Sequence, residues 1–171
     1  ASKRTERVAT LIDWLGGWPG AVLLQRSGTA YLFVNAAHIL GIGLLIIVYA
    51  RFYLAKDDPM GVFYSYLLLF QGAMVGVVLS DNILLLLVFW ELTSLSSFLL
   101  IGYWKHLPEG RQGARMALTV TGAGGLAMIA GMLILGDIAG SYNLTDILQH
   151  KEAIQASPLY VPALVLILAG C

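Results

Sequence analysis

Four stretches of largely apolar residues dominate this sequence, from about Ala30 to Ala50, Val62 to Ser80, Asn82 to Trp104 and Ala114 to Gly136. Each has about the 20 residues a helix needs to cross the hydrocarbon core of a bilayer. A fifth apolar run starts near Leu159 and reaches Cys171. It is too short to span by itself and is expected to be the opening of a further helix. Composition agrees with this reading. Of 171 residues, 58% are hydrophobic and 12% charged, against the roughly 25% charged of an ordinary soluble domain. A soluble fold of this size could not cover so much apolar surface. The expected fold class is therefore all-α, a polytopic transmembrane helix bundle.

The residues between the runs are turn formers. Asp57-Asp58-Pro59 precedes the second run, and Asp58 is expected to cap a helix whose first residue is Pro59. Ser80-Asp81-Asn82 is so tight a turn that the second and third helices should be antiparallel neighbours. Segment 137–157 is the longest loop; its part from Asn143 to Gln155 mixes Leu144, Ile147, Leu148 and Ile154 with polar residues, like a short helix at the membrane surface.

Loop charge sets the orientation. The loops at 51–61 and 105–115 share one side and carry Arg51, Lys56, Lys105, Arg111 and Arg115. The turn at 81–82 and the loop at 137–157 share the other and carry only Lys151. The first pair should be cytoplasmic. The basic start, Lys3, Arg4 and Arg7, leads into an interrupted apolar stretch with no convincing signal-peptide cleavage site. Val8–Leu24 would bring the N-terminal tail to the cytoplasmic side if it crossed, but Asp13, Gly16, Gly17 and Pro19 argue against a crossing.

Glu91 is the residue that points to chemistry. It lies in Leu84-Leu85-Leu86-Leu87-Val88-Phe89-Trp90-Glu91-Leu92, roughly 13 Å into the third span at 1.5 Å per residue. A carboxylate at that depth must be paired, hydrated or protonated. A low-dielectric surrounding favours the neutral acid and a neighbouring cation the carboxylate. A group poised between the two can relay protons. The plainer reading is a protonated acid that donates one interhelical hydrogen bond; mid-membrane position favours the relay.

Thr93, Ser94, Ser96 and Ser97 follow within six residues, and Ser94, three residues on, shares the face of Glu91. With Glu91, the residues Thr93, Ser94 and Ser97 form the candidate path for protons or ions. Taken alone, such hydroxyls more often bond back to helix carbonyls or allow close packing. His38, within the first span, reads as a packed residue, and Asp81 as part of a helix turn. Gly72 and Gly76, and Gly122, Gly124, Gly125 and Gly131, fit close helix packing, so the fourth span is expected to have helices around it. The single cysteine, Cys171, has no internal disulfide partner. No nucleotide loop, metal cluster or hydrolytic triad stands out, so no cofactor, metal or enzymatic activity is expected. The zero net charge offers no argument for nucleic acid.

Several longer stretches carry a resemblance. They are Tyr49-Ala50-Arg51-Phe52-Tyr53-Leu54, Asp57-Asp58-Pro59-Met60-Gly61, Leu79-Ser80-Asp81-Asn82, and the run Phe89-Trp90-Glu91-Leu92-Thr93-Ser94-Leu95-Ser96-Ser97-Phe98 continuing to Trp104. Together these stretches resemble the antiporter-type membrane subunits shared by Mrp sodium/proton antiporters and respiratory complex I, and most closely the A-type subunits of the Mrp antiporters. The likeness extends from about Ile39 to the end, including Ser157-Pro158-Leu159-Tyr160, and fades upstream, where Asn35 and His38 depart from the pattern and Arg26-Ser27-Gly28 is a faint echo.

The resemblance implies a larger fold of about fourteen helices with two inverted repeats, and ion sites near the midplane on broken helices. Residues 30–171 would then be a partial antiporter-type domain, from the third helix to the start of the seventh, behind a divergent segment 1–29. Glu91 matches the family's essential glutamate, whose partner is a lysine on the seventh helix. Leu168-Ala169-Gly170-Cys171 is expected to stop a few residues short of that lysine.

The function implied is that of a sodium or other monovalent cation/proton antiporter subunit in a cell inner membrane. Its partners would be the other membrane subunits of a multisubunit antiporter, protons and monovalent cations, and the lipid bilayer. The alternatives are a proton-pumping subunit of an NADH:quinone oxidoreductase and an inactive membrane fragment.

Overall fold

In the computed structural model the described residues are 27–171. The candidate crossing Val8–Leu24, and most of the segment 1–29, lie outside them. The chain divides into two units, Ala1–His38 and Ile39–Cys171. Of the first, the described part is the opening of helix α1 (Gly28–Tyr53). The Ser27 hydroxyl accepts from the Ala30 N–H at 3.2 Å, the usual N-cap service to a helix's free first-turn donors. Asn35 turns its amide back to the Tyr31 carbonyl at 2.8 Å. His38 is exposed rather than packed.

The second unit continues α1 and adds α2 (Met60–Leu79), α3 (Ile83–Ile101), α4 (Pro108–Ala139), α5 (Leu144–Gln149), α6 (Lys151–Ala156) and α7 (Tyr160–Gly170). Helices α1 to α4 are each long and apolar enough to cross a membrane. Their outward faces are apolar too: Phe52 is 85% exposed, Leu45 69% and Leu126 70%. Water would not tolerate such faces over four helices, whereas lipid or neighbouring helices would cover them. The closest pairs are α4 with α7, α2 with α3, and α3 with α4.

The helix ends follow local chemistry. The Asn82 side chain caps α3, accepting from the N–H groups of Leu84 and Leu85 at 3.0 and 3.2 Å. Gly102 ends it, donating its N–H to the Phe98 carbonyl at 3.0 Å. Helix α4 starts at Pro108, six residues before the apolar run. Proline suits a first helical position because the N–H it lacks has no partner there. The helix ends at Gly140, whose φ of 69° is left-handed and favours glycine.

Two expectations about these segments need correction. Helix α2 begins at Met60 with Pro59 in the cap position, and Asp58 does not cap it. Instead Asp58 accepts from the Ala55 N–H at 3.0 Å and the Trp104 indole N–H at 3.2 Å. That indole bond ties the turn before α2 to the turn after α3, so both basic loops lie at one end of the unit. At the other end, Asp81 accepts from the Thr145 N–H and hydroxyl at 3.1 and 2.7 Å. Backbone bonds Ile83 N to Tyr142 O and Leu144 N to Asp81 O, at 2.8 and 2.6 Å, complete this clasp.

The segment read as one surface helix is two short ones, α5 and α6, broken at His150. Their buried Ile147 and Ile154 pack with Ile83, beside Met132 and Leu135 of α4. The small residues also divide. Gly76 sits against the Phe89 ring, and Gly131 against Ala163 and Ile167 of α7. Gly72 and Gly122 meet open space and are not packing sites within the described residues.

Candidate functional site

Glu91 is the ninth of the nineteen residues of α3, one short of the helix midpoint. The residue is half-buried, but its Oε1 is inaccessible to solvent and has no hydrogen-bond partner among the described residues. That oxygen rests on Gly125 of α4, itself buried and close to the middle of its helix. A Cβ at Gly125 would overlap Oε1, so the carboxyl lies where it does only because this position has no side chain. An ionised carboxylate can only accept hydrogen bonds, and a buried acceptor without a donor is costly. Such an oxygen calls for a hydrogen-bond donor, a water or a cation beside it.

The hydroxyl residues after Glu91 fall into two kinds. Thr93 donates to the Trp90 carbonyl at 2.6 Å and Ser94 to the same oxygen at 3.4 Å. Ser96, fully buried, bonds to the Leu92 and Thr93 carbonyls at 2.7 and 3.0 Å. The plainer reading of these hydroxyls, bonding back to their own helix, therefore holds for all three. Their oxygens still have lone pairs to offer. Ser97 makes no such bond among the described residues.

Thr93, Ser94 and Ser97 line one cavity of about 310 Å³. Its walls also include Trp90 of α3, Thr121 and Gly124 of α4, and Gly170 and Cys171. The fold thus brings three of the four sequence-predicted residues to one space. The Glu91 carboxyl does not line it but abuts Gly125, next in sequence to the cavity residue Gly124. Two contributors escape a reading of the sequence as site residues: Thr121, and Gly125 as the seat of the carboxyl. Their signal lies in Thr121-Gly122-Ala123-Gly124-Gly125, a small-residue run at the depth of a mid-span acid.

Helix α7 closes beside this region through backbone proximity. A Cβ at Gly124 would come within 3.3 Å of the Gly170 carbonyl oxygen, and one at Gly131 within 2.8 Å of the Ala163 carbonyl oxygen. Among the described residues no three His, Cys, Asp or Glu side chains converge as metal ligands. Among the described residues a second polar atom is buried without a partner, the hydroxyl of Tyr103 in the turn beyond α3. Burial, then the nearby Asp58 and Tyr64, holds its phenol above the ordinary value.

Comparison with known proteins adds the following. The profile of the family described as NADH:quinone oxidoreductase/Mrp antiporter, TM, matches residues 80–171. The chain is 52% identical over 159 residues to a protein of Rhizobium meliloti (strain 1021) named as the probable A/B subunit of a K(+)/H(+) antiporter, covering 93% of this chain and 16% of that protein. It is 41% identical over 163 residues to a protein of Staphylococcus aureus (strain JH9) named as the A1 subunit of a Na(+)/H(+) antiporter, covering 95% of this chain and 20% of that one. The chain therefore spans a fifth or less of the length of these relatives.

Proposed function

This chain belongs to the NADH:quinone oxidoreductase/Mrp antiporter transmembrane family, and from that premise we propose that it is part of a monovalent cation/proton antiporter subunit in which the Glu91 carboxyl relays protons. The observation that carries the reading is the buried, unpartnered Oε1 of Glu91 at the middle of a membrane-length helix. An acid in that setting changes protonation when a donor or a cation approaches and when it withdraws. The adjacent cavity, with Thr93, Ser94, Ser97 and Thr121 on its walls, is roomy and polar enough to hold water. Waters hydrogen-bonded to those oxygens would extend from one side of the membrane to Gly124, next in sequence to the Gly125 on which the carboxyl rests.

The relatives carry both K(+)/H(+) and Na(+)/H(+) antiporter names, so the cation partner is a monovalent one, sodium in the first reading. The protein works beside the other membrane subunits of a multisubunit antiporter, in a cell inner membrane. The end that bears Arg51, Lys56, Lys105, Arg111 and Arg115 faces the cytoplasm. Residues 30–171 are one part of the antiporter-type domain, and 1–29 a divergent segment ahead of it. The family description also supports a second reading, a proton-pumping membrane subunit of an NADH:quinone oxidoreductase. Purification with flavin and iron–sulfur proteins would favour that reading; purification with small hydrophobic subunits alone would favour the antiporter.

The test is substitution of Glu91 in the complete subunit, with cation-driven proton movement measured in membrane vesicles. Glu91→Gln keeps volume and hydrogen-bonding capacity but exchanges no proton. It should abolish transport with normal membrane accumulation. Glu91→Asp should retain part of the rate. Wild-type transport by Glu91→Gln would reduce Glu91 to a packing residue.

A further inference from the structure

A cavity of about 560 Å³ lies away from Glu91, where the end of α3 meets the start of α4. Its wall has two zones. Phe98 and Leu99, on the last turns of α3, provide an apolar face, while Lys105, Arg111 and Arg115 provide cations. Arg111 and Arg115 are one turn apart and project from the same face of α4, and Lys105 lies in the connecting loop. All three cationic residues are exposed. Among the described residues no carboxylate lines the cavity. Helix α4 begins beside the cavity with Glu109 in its first turn, outside the residues that line it.

Depth assigns each zone to a layer of the membrane. Helix α3, with 19 residues, is about 29 Å long and matches the hydrocarbon core. Helix α4, with 32 residues, is about 48 Å long and must extend well beyond it. At this end the extension contains Arg111 and Arg115. The rings of Tyr53 and Trp104, 6.5 Å apart at the same end, are of the kind that sits at headgroup level. The cations therefore lie in the headgroup layer, and Phe98 and Leu99 in the acyl layer beneath it.

We propose that this cavity binds one anionic phospholipid, its phosphate held by Lys105, Arg111 and Arg115 and the first part of an acyl chain laid along Phe98 and Leu99. Guanidinium groups suit the phosphate because their paired N–H donors match two of its oxygens. The volume lies in the range of about 300–1,000 Å³ usual for small-ligand sites, enough for a headgroup and the adjoining chain. A free phosphate would use only the cations, and an acidic helix of another membrane protein would leave the apolar zone without purpose.

Binding can be measured by native mass spectrometry on the full chain in detergent, titrated with phosphatidylglycerol, phosphatidylcholine or inorganic phosphate. Phosphatidylglycerol should bind at least tenfold tighter than phosphatidylcholine. Arg111→Gln combined with Arg115→Gln should weaken it at least fivefold. Lys56→Gln, a charge lost at the same end but outside the cavity, should change it less than twofold. Arg111→Lys with Arg115→Lys should recover part of the affinity, and circular dichroism would confirm that every variant keeps its helices. Leu99→Asn should weaken the lipid and leave inorganic phosphate unaffected. Equal binding of the two lipids, or equal loss in Lys56→Gln, would overturn the proposal. So would displacement of the lipid by phosphate at the same concentration, or by a co-expressed membrane protein of the complex that leaves no lipid bound.

Discussion

Adding one methyl group at Gly125 separates a role for the Glu91 carboxyl from a role for helix packing. An alanine Cβ there would overlap Oε1 of Glu91, so the oxygen must retreat by more than about 1 Å to reach an ordinary non-bonded separation. The obstacle is the end of a flexible side chain, so the helices need not part. An off-rotamer Glu91 costs about 0.5–1.5 kcal/mol, while replacing glycine by alanine inside a helix gains about 0.8–1 kcal/mol. The two nearly cancel, and stability should change by less than about 1 kcal/mol. Position is another matter: a displacement of about 1 Å in a reacting group can lower a rate about 100-fold. Gly125→Ala in the complete subunit should therefore accumulate normally and transport at least about tenfold more slowly.

Two sister substitutions provide the controls. Gly122→Ala meets nothing within 4 Å and should behave as wild type. Gly131→Ala meets the Ala163 carbonyl oxygen at 2.8 Å and the Ile167 backbone nitrogen at 3.0 Å. Backbone cannot step aside, so accumulation should fall, with an overpacking penalty of about 1–3 kcal/mol. Immunoblots of membranes and dye-based proton flux in vesicles would read the two effects separately. Wild-type flux in a well-accumulated Gly125→Ala would refute the reasoning, because the carboxyl would then work equally well wherever it sits.

Other expectations test the frame around the site. Gly76→Leu drives a side chain into the Phe89 ring and should reduce membrane accumulation, whereas Gly72→Leu faces open space and should be tolerated; equal accumulation of the two would contradict the packing described. Asp81→Ala removes two hydrogen bonds from Thr145 and should lower unfolding free energy in detergent by about 1–2 kcal/mol, so an unchanged urea midpoint would show the clasp to be incidental. Cysteines placed at Lys56 and Lys151 should react with an impermeant maleimide from opposite sides of the membrane; reaction of both from one side would rule out the four-span arrangement.

The four membrane-length helices were legible as apolar runs because a spanning helix must satisfy its backbone internally and its side chains must suit lipid. The mid-span place of Glu91 was legible by counting residues, since helix rise is constant. Helix ends were read less well. Apolarity stops where lipid stops, but α4 continues to Pro108, where the backbone gains a helix start regardless of hydropathy. Asp58 looked like a cap from its place before Pro59, yet a long-range partner, the Trp104 indole, took its carboxylate.

What the sequence by itself determined, then, is the class of fold, the number of described membrane-length spans and the depth of Glu91 within the third of them. These depend on neighbours along the chain and on the thickness of a bilayer. Only the tertiary structure decided which small residue faces which side chain. Gly125, Gly124 and Gly122 are nearly equivalent in sequence, but rotation of α4 puts the first under the Glu91 carboxyl, the second beside a cavity and the third toward open space. Successive residues on a helix point about 100° apart, so these three assignments follow from how α4 is turned against α3 and α7, and no local pattern encodes that angle.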